Sequence, residues 1–270
     1  PKLKRGKKPK GEPILLTNFG AKGSSPAAKA KLAVNPATSA QWKKTVEKQL
    51  PPGRSWIGIC ASQGMDDTAY KASRSNIIWY SNSTDFKQPW ELMYFFHGLN
   101  EFTSKTFEKQ IAPQISTAVS QGRNFVLVMP ELPWSKAFGG KRQKGAFKPG
   151  STSFEKYHTE ILNNIKLIAG SSETITPSFI AIYAHSAGGG ALQNAANDQS
   201  LKKIKPNKLF LSDCDYMGAT KAVWNNYAKA ETNVWMTSIT TDGKTRKNTE
   251  AVFNSMSAED KKRELYHIKT

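Results

Sequence analysis

The sequence predicts an α/β domain built on a mostly parallel sheet of eight strands, with helices on both faces. After residue 50, short apolar runs alternate with longer segments of helical period. The runs 125–129 (FVLVM) and 179–184 (FIAIYA) are apolar at every position, which is typical of strands that are covered by helices on both faces. The chain has 270 residues, of which 38% are hydrophobic, so it is long enough to bury one large core.

The predicted strands are 55–60, 77–81, 91–96, 125–129, 178–184, 207–212, 233–240 and 264–268. The predicted helices lie at about 103–121, 152–169, 187–200, 218–230 and 248–262. Because no helical segment separates the first strands, we expect them to be antiparallel neighbours at one edge of the sheet. In the helix 152–169, apolar residues recur every three or four positions and form one stripe, with Ser151 or Thr152 as the expected cap.

The formal net charge of +18 is concentrated at one end of the sequence. Residues 1–50 contain twelve Lys or Arg and two Glu, a net of +10, which leaves +8 for residues 51–270. Residues 1–11 (PKLKRGKKPKG) have no apolar period and predict a flexible basic arm. We therefore expect a basic N-terminal arm or linker over 1–50 and a folded domain over 51–270. The expected partner of the arm is a polyanion, whether nucleic acid, an anionic surface or an acidic polymer.

Two classes of protein are excluded by the composition. The only two cysteines are Cys60 and Cys214, too few for a disulfide scaffold or for a zinc site with several cysteine ligands. We expect both to be buried free thiols. No stretch approaches the roughly 18 uninterrupted apolar residues of a membrane helix, so no transmembrane span is predicted. No cluster with the spacing of metal ligands is present, and no metal is predicted.

The segment SFIAIYAHSAGGGAL, residues 178–192, carries the main chemical signal. A buried strand leads directly into Ala184-His185-Ser186-Ala187-Gly188, and an Ala/Gly-rich helix follows. Such a sharp turn requires small residues two positions to either side of its centre, and Ala184 and Gly188 meet that requirement around Ser186. The turn would project the Ser186 hydroxyl from the carboxyl edge of the sheet. It would also place the Ala187 N–H at a helix N-terminus, where it could bind an oxyanion.

This pentapeptide resembles the nucleophile elbow of the α/β-hydrolase family, with Ala184 in place of the first glycine of the commoner pattern. The resemblance extends in element order over about residues 55–270. It implies that His97-Gly98, in MYFFHGLN at the end of a strand, begins the loop which donates the second oxyanion N–H. That donor would be the backbone of Leu99, or of Gly98 if the loop is shifted. Without the resemblance, the same residues describe a strand stopped by glycine.

A serine hydroxyl needs a general base to act as a nucleophile at neutral pH. The chain has four histidines. His158 lies within a helix, His185 adjoins Ser186 and should point away from it, and His97 should lie under the oxyanion loop. His267 lies near the end of the last predicted strand, in the order Ser, acid, His that the resemblance implies, although only three residues follow it and a histidine within a strand is often merely buried. We predict His267 as the base.

The acid has three candidates. Asp242, in TTDGK after the strand 233–240, stands where the family most often has its acid. Asp213 and Asp215, in SDCDY after the strand 207–212, are the alternatives, because some members place the acid there. Asp-Gly at 242–243 also marks a tight turn without any catalytic role. We choose Asp242, with Asp213 second.

The sequence thus predicts a serine hydrolase that cleaves an ester, or less readily an amide, through an acyl-enzyme. It requires no cofactor. The alternative is a non-catalytic binding or structural subunit of a polyanion-rich assembly that uses the same fold, because a fold does not determine a function.

Overall fold

The computed structural model describes residues 14–19, 44, 46–60, 76–99, 105–132, 146–147, 153–171, 175–231, 233–241, 243–262 and 266–269. For 14–19, 57–60 and 266–269 it describes the backbone. The basic arm 1–11 and Asp242 lie outside these ranges.

Nine described strands form one sheet: β1 (Ile14–Phe19), β2 (Gly53–Cys60), β3 (Asn76–Ser81), β4 (Glu91–Phe96), β5 (Phe125–Pro130), β6 (Phe179–His185), β7 (Lys208–Ser212), β8 (Trp235–Ile239) and β9 (Tyr266–Lys269). Their order is β1-β2-β3-β5-β4-β6-β7-β8-β9. Strand β3 is antiparallel to both of its neighbours, and the other described neighbours are parallel. The sheet is therefore mixed, with its antiparallel part towards one edge as predicted.

The prediction of eight strands is corrected to nine by β1. This strand pairs with β2 in parallel and lies within the segment 1–50 that the sequence assigned to the arm. Its apolar run Ile14–Leu16 is short and is flanked by Lys, Gly and Pro-rich sequence. The strand could not be predicted from this composition, because charged residues, Gly and Pro outnumber the apolar residues in any sequence window long enough to show an alternating pattern.

Helices cover both faces of the sheet. They are α1 (Ala112–Ser120), α2 (Phe154–Ala169), α3 (Gly188–Asn197), α4 (Ser200–Ile204), α5 (Ala219–Val223), α6 (Gly243–Asn254) and α7 (Ala258–Lys262). A π-helical turn, Phe107–Ile111, leads into α1, and another, Trp224–Ala228, continues α5. The cap of α2 is Ser153, whose hydroxyl accepts a bond from the Lys156 N–H at 3.4 Å, one residue beyond the predicted cap.

Successive side chains of β4 point to opposite faces of the sheet, and each face packs against helices in a separate apolar core. Tyr94 and Phe96 belong to the apolar cluster beneath α2 to α6, whereas Phe95 belongs to the cluster that contains Phe107 and Ile111. All three aromatic side chains are fully buried.

Within the described ranges, no helix is both long and apolar enough to cross a bilayer. In the parallel part of the sheet, β4, β6, β7 and β8 lie side by side, so their carboxyl ends meet at one edge.

Candidate active site

Ser186 follows β6 directly and has a left-handed backbone conformation, with a φ of 50°. Residues other than glycine seldom adopt this conformation, because it costs on the order of 1 kcal/mol. The Ser186 N–H donates to the Ser212 carbonyl at 2.9 Å, and the Ser186 carbonyl accepts from the Gly189 N–H at 3.0 Å. The strained turn is thus held by β7 on one side and by α3 on the other, with Ser186 half-buried at the carboxyl edge.

The glycines after Ser186 allow α3 to start against neighbouring backbone. A Cβ atom on Gly188 would lie 2.3 Å from the Phe96 carbonyl oxygen, and one on Gly189 would lie 2.7 Å from the Cys214 carbonyl oxygen. The sequence predicts the need for a small residue at Gly188, whereas the close approach at Gly189 depends on Cys214 of a distant segment and has no local signal beyond the run of three glycines. Cys214 itself is a buried free thiol whose pKa is raised by burial.

Two backbone segments converge on the Ser186 turn. Ala187 is the N-cap residue of α3, so its N–H lies at the positive end of the helix. Phe96 pairs with Ala184, and Gly98 continues β4 beyond this rung in the direction that Ser186 continues β6. Leu99 is 38% exposed. The loop predicted to supply the second oxyanion donor therefore starts beside the turn, and it runs into residues outside the described ranges.

His97 connects the ends of β4 and β5. It is fully buried, its Nδ1 lies 2.8 Å from the Gly98 carbonyl, and its Nε2 accepts the Leu132 N–H at 2.8 Å. These partners assign the ring proton to Nδ1, which donates to the carbonyl. Burial lowers the pKa of His97 to about 3, so the ring is neutral and holds the loop in place.

Two further histidines have partners in the described structure. The Nδ1 of His158 lies 2.8 Å from the Tyr94 hydroxyl, and burial lowers the pKa of His158 to about 4. The Thr106 hydroxyl lies 3.3 Å from both ring nitrogens of His185. Burial lowers the pKa of His185, and the nearby Asp213 opposes that effect. Among the three histidines whose side chains are described, His185 is the one whose pKa is affected by a carboxylate, that of Asp213.

The backbone of His267 lies within β9, where it pairs with Thr237 of β8. The carboxyl edge lies two residues further on, at the rung where His185, Ser212, Ile239 and Lys269 align. Three strand spacings separate β9 from β6, about 14 Å at the usual spacing of about 4.8 Å. Only the backbone of His267 is described, so its assignment as the base stays a prediction.

The two acidic residues of SDCDY have different surroundings. Asp213 is half-exposed and accepts bonds from Thr241 and Thr245. Asp215 is buried, accepts the Thr220 N–H at 3.2 Å and a bond from the Thr249 hydroxyl at 3.4 Å. Burial raises its pKa. Asp215 therefore fixes the start of α5 against α6, whereas Asp213 lies at the sheet edge. The two threonine partners of Asp213 were not singled out in the sequence, because nothing local indicates a contact some 30 residues away.

Within the described ranges, no group of three or more His, Cys, Asp or Glu side chains is placed to hold a metal ion. The chemistry that this edge offers is a strained serine, backbone N–H groups at a helix start and carboxylates close by.

No protein-family model matches this chain, and no curated protein matches it. Among solved structures, a ferulic acid esterase has a TM-score of 0.51 at 12% sequence identity, over 81% of this chain and 90% of that chain. The S954A mutant of the feruloyl esterase module from Clostridium thermocellum, complexed with sinapinate, has a TM-score of 0.49 at 13% identity, over 96% and 87%.

At such low identity the likeness concerns the fold alone. It agrees with a mixed sheet in which β3 is the antiparallel strand among the described strands. This chain has the α/β-hydrolase fold.

Proposed function

We propose that this protein is a serine hydrolase that cleaves esters through an acyl-enzyme on Ser186. The observation that carries the proposal is the left-handed φ of 50° at Ser186, at a strand-to-helix turn on the carboxyl edge of the sheet. Strain of this kind is concentrated at functional sites, where the surrounding structure maintains it. The likeness to a ferulic acid esterase favours an ester over an amide as the substrate class.

In the proposed reaction, the Ser186 Oγ attacks the ester carbonyl carbon while the base takes the hydroxyl proton. The N–H groups of Ala187 and of Leu99, or of Gly98, bind the oxyanion. Collapse of the tetrahedral intermediate expels the alcohol, which receives the proton from the base. Water then attacks the acyl-enzyme in the same manner and releases the acid. His267 is the proposed base and Asp242 the proposed acid.

The proposed base has a geometric requirement. Its imidazole must come within about 4 Å of the Ser186 hydroxyl, whereas the backbone of His267 is three strands away. This register is the observation that favours a second candidate function, the non-catalytic subunit that binds a polyanion. A folded wild-type chain with an unreactive Ser186 would support that candidate.

Labelling with a fluorophosphonate tests the first proposal, because this reagent reacts with an activated serine whatever the natural substrate. We expect wild type to be labelled and Ser186→Ala to be unlabelled but folded. Ser178→Ala is the matched control: Ser178 lies just before β6, and its hydroxyl donates to the Trp90 carbonyl at 3.0 Å, so labelling should persist. His267→Ala and His185→Ala, compared in the same assay, identify the base by which one abolishes labelling. Equal labelling of Ser186→Ala and wild type would exclude Ser186 as the nucleophile.

A further inference from the structure

The Asp213 carboxylate gathers three hydrogen bonds from one segment, the connection between β8 and α6. Its Oδ1 accepts the Thr241 N–H at 2.5 Å and a bond from the Thr245 hydroxyl at 3.2 Å. Its Oδ2 accepts a bond from the Thr241 hydroxyl at 2.5 Å. Thr241 directly follows Thr240 beyond the end of β8, and Thr245 lies in the first turn of α6. One side chain on the β7 end thus holds both ends of the connection.

The backbone links this connection to the Ser186 turn. The Ser186 N–H donates to Ser212 at 2.9 Å, and the Asp213 N–H donates to Ile239 at 2.8 Å. These two bonds extend the parallel pairing beyond the ends of β6, β7 and β8. Asp213 also has a left-handed conformation, with a φ of 48°, which turns the chain at this edge. A strained conformation persists when its surroundings determine it, and here those surroundings are the connection itself.

We propose that Asp213 is a positioning residue, which holds the β8–α6 connection at a fixed place relative to Ser186, and that it is not the acid of a triad. This inference rests on the proposed function, in which Asp242 acts from between Thr241 and Gly243. Both carboxylate oxygens of Asp213 already accept bonds from the connection, so the side chain is suited to hold that segment. The role depends on its hydrogen bonds and not on its charge.

The two roles make opposite predictions for Asp213→Asn. An asparagine keeps an acceptor for the Thr241 N–H, and its amide can donate to the Thr241 hydroxyl, which accepts as readily as it donates. A positioning role therefore survives in Asn and is lost in Ala. A triad acid acts through its negative charge, so Asn and Ala would be equally damaging, by about 10⁴-fold.

The experiment measures the rate constant for fluorophosphonate labelling of the full chain as a function of pH. We expect Asp213→Asn to keep most of the wild-type rate with an unshifted pH profile, and Asp213→Ala to be slower by about 100-fold, as expected when a catalytic group is displaced by about 1 Å. Thr241→Val combined with Thr245→Val removes two of the three hydrogen bonds and should also make labelling slower. This double variant provides a second test if Asp213→Ala does not fold.

Asp198→Ala is the matched control, because the Asp198 carboxylate accepts the Ser200 N–H at 2.9 Å beyond the far end of α3. The labelling rate of this variant should equal that of wild type.

Three outcomes would overturn the inference. Equal loss of about 10⁴-fold in Asn and Ala would make Asp213 the acid. Unchanged labelling in Asp213→Ala would remove any role in positioning, while the proposed function would stand as long as Ser186→Ala is unlabelled. Absence of labelling in folded wild type would remove the proposed function, and the inference with it.

Discussion

At the scale of single residues, the site depends on how closely α3 approaches β4. A Cβ on Gly188 would lie 2.3 Å from the Phe96 carbonyl oxygen, and backbone cannot move aside as a side chain can. We expect Gly188→Ala to lower the free energy of unfolding by about 1–3 kcal/mol or more, although alanine is the better helix former. Urea unfolding followed by circular dichroism measures the change.

Gly243→Ala is the control for Gly188→Ala. Both glycines are the first residues of their helices, and a Cβ on Gly243 would meet nothing within 4 Å. In Gly243→Ala only the better helix propensity of alanine should act, and it should raise the free energy of unfolding by up to about 1 kcal/mol. Equal effects of the two substitutions would show that the close approach to Phe96 does not matter.

At the scale of elements, buried neutral histidines join the strands to their surroundings and make stability depend on pH. His97 links the ends of β4 and β5, and His158 links α2 to Tyr94 of β4. Burial lowers their pKa values to about 3 and about 4, whereas both residues titrate near 6.5 when the chain is unfolded. Between pH 6.5 and about 4 the unfolded chain binds more protons, so stability falls as the pH falls, by up to about 1.4 kcal/mol per pH unit for each histidine.

Urea unfolding at several pH values between 4.5 and 7.5 checks this dependence, and His158→Gln isolates one part of it. The variant should lose absolute stability, because the Tyr94 hydroxyl loses its imidazole partner, but its slope below pH 6.5 should be smaller by about one proton. A slope identical to that of wild type would show that His158 is not buried in its neutral form.

Most of the strands and helices could be predicted from the sequence, because each has an apolar periodicity within its own short stretch of residues. All eight predicted strands are present, and four of the five predicted helices appear with differences of a few residues at their ends, as for the cap at Ser153. The predicted helix 248–262 is wrong in its bounds: two helices, α6 and α7, lie there, and α6 begins five residues earlier. The break has a local cause, because the Ser257 hydroxyl accepts the Asp260 N–H and caps a new helix start. Strand β1 was not found, because six residues in a basic and Pro-rich context give too little period. A strand that is stabilised by its pairing with β2 depends on contacts that no local window contains.

At the scale of the whole molecule, the candidate site shows the same division between local and distant information. The sharp turn at Ser186 could be predicted because its strand, turn and helix are consecutive in sequence. The partners of Asp213 could not be predicted, because Thr241 and Thr245 meet it only when β7 and β8 lie side by side. The register of β9 also depends on pairing with β8, so the sequence order Ser, acid, His gives no distance between the residues.

The distribution of charge over the whole molecule predicts a role for the expected basic arm that is separate from ester cleavage. Residues 1–11 carry six of the 39 Lys and Arg residues, and we propose that they attract a polyanion without contributing to ester cleavage.

With duplex DNA as the probe, each phosphate contact contributes about −0.9 to the slope of log K against log salt concentration. Deletion of residues 1–11 should therefore weaken binding and flatten this slope by at most about five, because no more than six contacts are lost. Turnover of a small neutral ester should not change, because surface attraction is screened within about 8 Å in physiological salt, and Ser186 follows the central strand β6. Replacement of the six basic residues by Gln, with the length of the arm kept, should reproduce the effect on DNA binding, and an unchanged salt slope in either variant would contradict the electrostatic role. If the deletion abolished ester cleavage while the Gln variant retained it, the arm would take part in the active site through its backbone or its length, and charge and chemistry would not be separate in this molecule.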